Sequence, residues 1–221
     1  MLPRILEPEV MDSPEEARDY DAMDHSQVNS VFVADFLEIW DGRGPVLDVG
    51  AGTAQIPIEL CRQYNTAQVV AIDMANHMLT LARENVQAAG FELRIRTERQ
   101  NARAMTYVAG SFPAVISNSI VHHIPEPVCV FSEMTRVCAP GGALFVRDLL
   151  RPPDRAALQH IVDTYAAGAN NHQRKMFAES LHAALTLDEV RAQVAKCGFD
   201  PATVRATSER HWTWTARKPL K

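Results

Sequence analysis

No apolar run in this chain approaches the ~20 residues that span a bilayer, and the opening Met1-Leu2-Pro3-Arg4 lacks the longer apolar stretch of a secretory leader, so a cytoplasmic protein is expected. Cysteine is scarce and scattered. Cys61, Cys129, Cys138 and Cys197 show no C-x-x-C spacing, which signals neither a zinc site nor a redox pair; buried thiols and no metal are the expectation. Positive charge is in deficit as well. A formal net charge of −5 over 221 residues argues against the electrostatic footprint of a nucleic-acid binder or an anionic-membrane binder. A small-molecule partner is expected, with neither nucleic acid nor membrane.

What is present begins at Val46-Leu47-Asp48-Val49-Gly50-Ala51-Gly52-Thr53-Ala54-Gln55, followed by Asp73 at the end of the next apolar run. An apolar strand that breaks into two close glycines and a helix lets backbone approach a nucleoside-type ligand, and an acid about 20 residues on can hold ribose hydroxyls. A dinucleotide fold wants a third glycine for close helix packing near a pyrophosphate; Gln55 stands there. Asp48 sits inside the strand end, where a buried carboxylate needs a partner, and a ligand carrying an ammonium group supplies one.

With these residues the chain resembles the class I S-adenosylmethionine-dependent methyltransferases, in particular the small-molecule branch that includes the ubiquinone and menaquinone enzymes, over roughly residues 20 to 150. The resemblance implies a glycine-rich cofactor loop from Val46 to Thr53, with Asp48 and Gly50 near the methionine part, Ala51, Gly52 and Thr53 beside them, Asp73 on the ribose and Met74 beside the adenine. It further implies an adenine-contacting turn at Gln100-Asn101-Ala102, a rim segment from Ser117 through Asn118 to Ile124, and the helix, turn and strand of Arg136 to Leu144. The implied cofactor is S-adenosylmethionine, with S-adenosylhomocysteine as product. The segment after the fourth strand lacks the Asn/Asp-Pro-Pro-aromatic motif of relatives that methylate nucleobase or protein nitrogens, which favours a small acceptor. Two alternatives stand beside this reading: a nicotinamide-dependent oxidoreductase, and a protein that binds S-adenosylmethionine without transferring a methyl group.

The pattern along the chain predicts one α/β domain over 1–221, with an N-terminal arm and cap helix (1–40), a cofactor-binding core (41–150) and a lid or insertion with helices and a strand pair (151–221). Residues 1 to 16 read as an irregular arm, and 14 to 40 as a single helix with apolar positions near the 3.6-residue period. Strands are predicted at 46–49, 68–72, 92–97, 114–117, 143–147, 202–207 and 211–217, and helices at 53–64, 76–89, 126–138, 155–167 and 187–196. Residues 169 to 177 are polar without a clear period and read as a lid or substrate-side insertion. Strands alternating with helices imply a Rossmann-like, doubly wound, mostly parallel sheet with helices on both faces, and the resemblance completes it to seven strands with an antiparallel C-terminal strand.

Transfer from a sulfonium leaves the protein to position, dehydrate and, where needed, deprotonate the acceptor. His122 and His123, after the fourth strand, are the candidate bases. Asp21, Asp24 and His25 can share one helical face; as a lid, Tyr20 would contact the cofactor's carboxylate end and Asp24 or His25 the substrate. Arg147 and Asp148 could bind an acid or an amine, and Asn171 and His172 join them as substrate candidates. Trp212 and Trp214 share a strand face, which suits packing, although Trp214 is also a candidate cation-binding wall.

Overall fold

The computed structural model describes residues 2–7 and 13–220. Val46-Leu47-Asp48-Val49 form β1, whose four residues are all buried, as expected of a strand covered on both faces. It pairs in parallel with β2 (Val69–Asp73) on one side and β4 (Phe112–Asn118) on the other, setting Asp48 opposite Ala71 and Ile116. β3 (Ile95–Arg99), β5 (Cys138–Leu149), β6 (Val204–Ser208) and β7 (His211–Arg217) complete one sheet among the described residues, in the order β3-β2-β1-β4-β5-β7-β6. β7 runs antiparallel to both neighbours. The order reverses direction between β1 and β4, and open parallel sheets bind ligands at the carboxyl ends of the strands beside such a reversal.

Two apolar layers sandwich the sheet. Phe32, Phe36 and Trp40 of the α2 segment (helix Ser26–Leu37) and Ile58 and Leu60 of α3 (Gln55–Gln63) cover one face, with Ala82 and Val86 of α4 (Asn76–Ala88). Val130, Phe131 and Met134 of α5 (Pro127–Val137) and Val190 and Val194 of α8 (Leu187–Lys196) cover the other. Trp212 and Trp214 belong to this second layer: both are fully buried, and Trp214 packs edge-on to Phe131 and Phe199 at 5.5 and 5.1 Å. Trp214 is therefore core, away from any ligand, and the cation-binding alternative is corrected.

The single helix expected over 14–40 is two. α1 (Pro14–Asp21) opens with a capping box between Ser13 and Glu16 and ends at Ala22. The Asp24 carboxylate then accepts the Ser26 N–H at 2.9 Å, a local side-chain bond that competes with helical pairing, and α2 begins afresh. Asp21, Asp24 and His25 thus do not share one helical face. The stretch 169–177 is helical from Asn171 rather than irregular. Asn170 and Gln173 form a capping box that starts α7 (Asn171–Ala183), antiparallel company for α6 (Arg155–Tyr165). The largest shifts of strand edges are at the starts of β3 and β5: the turn Phe91 to Arg94 delays β3 to Ile95, and β5 extends back through Gly141-Gly142 to Cys138, pairing with Phe112. Of the N-terminal arm, residues 8–12 lie outside the described residues. Leu2 packs into the α6–α7 layer with Leu149 and Leu181, so the arm docks.

Candidate cofactor and acceptor site

The β1 loop is fixed by β2. Gly50 and Ala51 both donate their N–H groups to the Ile72 carbonyl, at 2.8 and 2.9 Å, and Gly52 donates to Asp73 Oδ2 at 2.9 Å. Gly50 (φ 78°) meets Ile120 so closely that a Cβ there would collide with its side chain; glycine is required on both counts. The cleft above the loop is lined by Gly50, Gly52, Asp73, Met74, Asn101, Ala102 and Asn118, with Tyr20 over it from α1. Ala51 sits in the loop without lining the cleft, and Thr53 is buried beneath it. Asn101 holds its own turn by accepting the Arg103 N–H at 2.9 Å, leaving the second lone pair of that oxygen for a donor.

Asp48, in β1 just before the loop, does not line the cleft itself but is the electrostatic anomaly next to it. It is 1% exposed and its Oδ2 has no hydrogen-bond partner among the described residues. Burial first, and the nearby Asp73 charge second, push its carboxyl up to about 8. Burial, reinforced by Asp73, Asp48 and Asp21, likewise pushes the Tyr20 phenol up to about 12, so it stays a neutral donor. α1 is held in place by Asp21, whose Oδ1 accepts Asn85 Nδ2 at 2.8 Å and Gln55 Nε2 at 3.2 Å. Gln55, which stands where a dinucleotide fold has glycine, is thus a clamp on the cap helix.

A second cavity of about 550 Å³ adjoins the cleft; Tyr20, Asn118, Ser119 and His123 line both. Its walls come from α2 (Val28, Val31), α7 (Met176, Phe177), Tyr165, Arg210 of the β6–β7 turn and His211 at the start of β7. Arg210 lies over the Tyr165 ring, 3.8 Å from its centroid. His25 and Arg147 also face this cavity. Arg147 is engaged already, donating to Asp35 at 2.5 Å and to Thr213 at 2.9 Å.

Asp148 does not reach the cavity. It is fully buried and saturated, taking the Val121 N–H at 2.6 Å, the Leu149 N–H at 2.6 Å and His122 Nδ1 at 2.5 Å. Burial opposes charge on the pair, but the mutual attraction and hydrogen bond win, raising His122 and lowering Asp148. As a substrate ligand Asp148 is corrected; it orients His122. Burial and the neighbouring His122 push His123 down to about 3, leaving a neutral imidazole. Burial also lowers His25. Asp24 is exposed and spends its carboxylate on the Ser26 N–H, and Asn171 and His172 are exposed at the start of α7, outside both cavities. These three candidates are not brought to the site.

Residues 46–142 match a methyltransferase domain family. The chain is 30% identical over 184 residues to a ubiquinone biosynthesis O-methyltransferase from Xanthomonas oryzae, covering 79% of this chain and 76% of the relative. The chain belongs to the class I S-adenosylmethionine-dependent methyltransferases. Another relative, the 27-O-demethylrifamycin SV methyltransferase of Amycolatopsis mediterranei, is 25% identical over 176 residues, covering 78% of this chain but only 61% of its own length. The chain thus spans less than two thirds of that relative. Among solved structures, an S-adenosylmethionine-dependent methyltransferase from Methanococcus maripaludis superposes with a TM-score of 0.73 at 15% identity, covering 98% of both chains; at that identity the likeness concerns the fold. These relatives lend no support to the nicotinamide-dependent alternative.

The family's cofactor fits the residues present. A buried carboxylate at Asp48 whose Oδ2 lacks a hydrogen-bond partner among the described residues suits the ammonium of the methionine part, and the Gly50–Ile120 contact leaves a side-chain-free floor. Sequence reasoning missed much of the wide cavity: Val28, Val31, Tyr165, Met176, Phe177 and Arg210 carry no motif, and only their convergence in space sets them apart. Asn170-x-x-Gln173, a capping signature, was the one available signal that α7 exists.

Proposed function

We propose that this methyltransferase moves a methyl group from S-adenosylmethionine to a small-molecule acceptor seated in the 550 Å³ cavity. The observation that carries the reading is the shared wall: Tyr20, Asn118, Ser119 and His123 border both the cleft and the cavity, so cofactor and acceptor meet there. The cavity volume falls within the ~300–1,000 Å³ usual for small-ligand pockets. Its mixture of Met176 and Phe177 with Arg210 suits an acceptor that is partly apolar and carries oxygen or acid groups.

When bound, the cofactor supplies an electrophilic methyl sulfonium, so the acceptor nucleophile gains the methyl as the sulfur–carbon bond breaks. Asp48 holds the ammonium end, Asp73 the ribose hydroxyls, and Met74, Asn101 and Ala102 flank the adenine; Gly50 and Gly52 keep side chains out of the way. Tyr20 and α1 close over the cleft and exclude water. His25, neutral and facing the cavity beside Tyr20 at 5.2 Å between ring centroids, takes the acceptor's proton where the nucleophile must lose one. His122, locked to Asp148 at 2.5 Å, positions the rim turn.

The net charge of −5 favours a small acceptor over nucleic acid, and four unpaired cysteines suit the reducing cytoplasm. The test is incubation with methyl-labelled cofactor and a fractionated metabolite extract, followed by mass spectrometry. Label in a small molecule supports transfer. Tight cofactor binding with no labelled product in any fraction would leave a silent binding protein instead.

A further inference from the structure

We propose that Glu7, His122 and His123 form a binding site for a divalent transition-metal ion of the zinc class, set in the wall of the acceptor cavity. Glu7 comes from the N-terminal arm and the two histidines from the turn after β4, and the docked arm brings them together. Leu2 donates to the Pro153 carbonyl at 3.0 Å and Ile5 to the His182 carbonyl at 3.1 Å. Arg4 ties the arm to the rim turn itself, donating to the carbonyls of His122 and Ile124 at 3.1 and 3.0 Å and to that of Ala183 at 2.7 Å. Glu7 is thereby carried over the 3-10 turn Val121–His123.

The donor atoms then converge. Glu7 Oε1 lies 3.1 Å from His123 Nδ1 and 3.4 Å from His122 Nε2, and all three atoms fall within 4.8 Å of one another. Despite this closeness, Glu7 Oε1 and His123 Nδ1 are buried and lack any hydrogen-bond partner of acceptable geometry among the described residues. Bonds of ~2.0–2.2 Å to a tetrahedral ion space its donors about 3.3–3.5 Å apart. The 3.4 Å separation matches that spacing and the 3.1 Å one falls just short of it, while their directions serve hydrogen bonding poorly. An ion would satisfy both orphaned atoms at once, which no proton placement between them does.

The surroundings point the same way. Asp148 Oδ1 sits 2.5 Å from His122 Nδ1, so Nδ1 keeps its proton and Nε2 is the nitrogen that gives one up to bind an ion. A histidine whose second nitrogen is held by a carboxylate is the usual support of a metal ligand. Asp148 is itself fixed by the backbone N–H groups of Val121 and Leu149, each at 2.6 Å. Ser180 donates to the other oxygen of Glu7 at 3.3 Å, leaving Oε1 for the cluster. Two imidazoles and one carboxylate form a borderline-soft set suited to zinc, with fewer than four protein ligands and hence an open position. Both histidines line the wide cavity, so the open position faces whatever occupies it, and a hydroxyl there would be the fourth ligand.

The full chain, stripped with chelator, is titrated with zinc alone against a chromophoric competitor, and with cobalt while its visible absorption is followed. Expected are a 1:1 complex and cobalt bands of low-coordinate intensity, both lost in Glu7→Gln and His123→Gln with at least ~100-fold weaker affinity, and weakened by ~10–100-fold in Asp148→Asn, as removal of a supporting residue does. S-adenosylhomocysteine affinity and melting temperature of Glu7→Gln report that the variant is folded. No 1:1 complex in the wild-type chain, or zinc binding that a folded Glu7→Gln retains at full strength, overturns the site. Since metal binding is the readout, a failed methyl-transfer assay leaves this result standing, and the reverse holds too.

Discussion

A Cβ on Gly50 would lie 2.0 Å from Cγ2 of Ile120, so the first loop glycine and the second residue after β4 are fitted to each other across the sheet's reversal point. Gly50 also holds φ at 78°, a conformation that costs a residue with a side chain roughly 1–2 kcal/mol. Gly50→Ala should therefore lower S-adenosylhomocysteine affinity at least about tenfold, strain and displacement of Ile120 acting together. Adding Ile120→Ala removes the 2.0 Å contact but leaves the Ile120 Cβ at 2.9 Å, so it should restore only part of the loss. Calorimetry of the three variants checks this; wild-type affinity in Gly50→Ala would show that the loop moves freely.

Asp73 does two jobs in the folded chain before any ligand arrives, taking the Gly52 N–H on one oxygen and the Ala75 N–H on the other, both at 2.9 Å. Asp73→Ala removes these together with any ribose contact. The expected loss of cofactor affinity is about 1.5–3 kcal/mol, the range for hydrogen bonds to a charged group. Unchanged affinity in the same titration would remove Asp73 from the ribose.

Cofactor binding should depend on pH through Asp48. With its carboxyl held up at about 8 in the ligand-free protein, the group is protonated at neutral pH, whereas an ammonium ligand favours the ionised form. Affinity for S-adenosylhomocysteine should rise by about tenfold per pH unit between roughly 6 and 8, then level off as the ligand's own amine titrates near 8. Stability of the ligand-free protein moves the opposite way: the folded state keeps a proton that the unfolded chain releases near 3.8, so this group's contribution is greatest below that value and is lost as pH rises towards 8. Asp48→Asn should flatten both profiles, and a binding profile already flat in the wild-type chain would deny Asp48 the ammonium.

How far the chain could be read follows from where information is local. The β1 loop was legible because strand, glycines and Asp73 lie within 28 residues and obey one steric logic. The mostly parallel sheet beyond it followed from alternation of apolar strands with helices. The break at Ala22–His25 was not legible from apolar period, because a single Asx turn at Asp24 decides it. Trp214 and Asn171 show the limit for the acceptor side: register puts Trp214 against Phe131 and Phe199 in the core, and the capping box turns Asn171 outward. Trp214→Ala should cost about 3–5 kcal/mol of stability, while His172→Ala should stay within about 0.5 kcal/mol; denaturant unfolding of the two separates a core residue from a surface one. The cluster at Glu7 needs the arm's docking, 115 residues away from His122 in sequence, and nothing local announces it.

Asp21 clamps α1 over the cleft. The helix buries little, with Ala17 packed against Ala75 and Met78, so its position over the cleft depends on Asp21 Oδ1 accepting from Asn85 at 2.8 Å and Gln55 at 3.2 Å. Those bonds join α1 to both helices that follow the cofactor-contacting strands. Losing them leaves two amide donors to find water and costs about 1–3 kcal/mol of local closure. Asp21→Ala should then speed exchange of the α1 amides and raise the dissociation rate of S-adenosylhomocysteine by about 5- to 150-fold, with global melting little changed because α1 contributes so little core. Hydrogen exchange read together with stopped-flow displacement decides it. Faster exchange without faster release would mean that Tyr20 and its helix lie over the cofactor without holding it in.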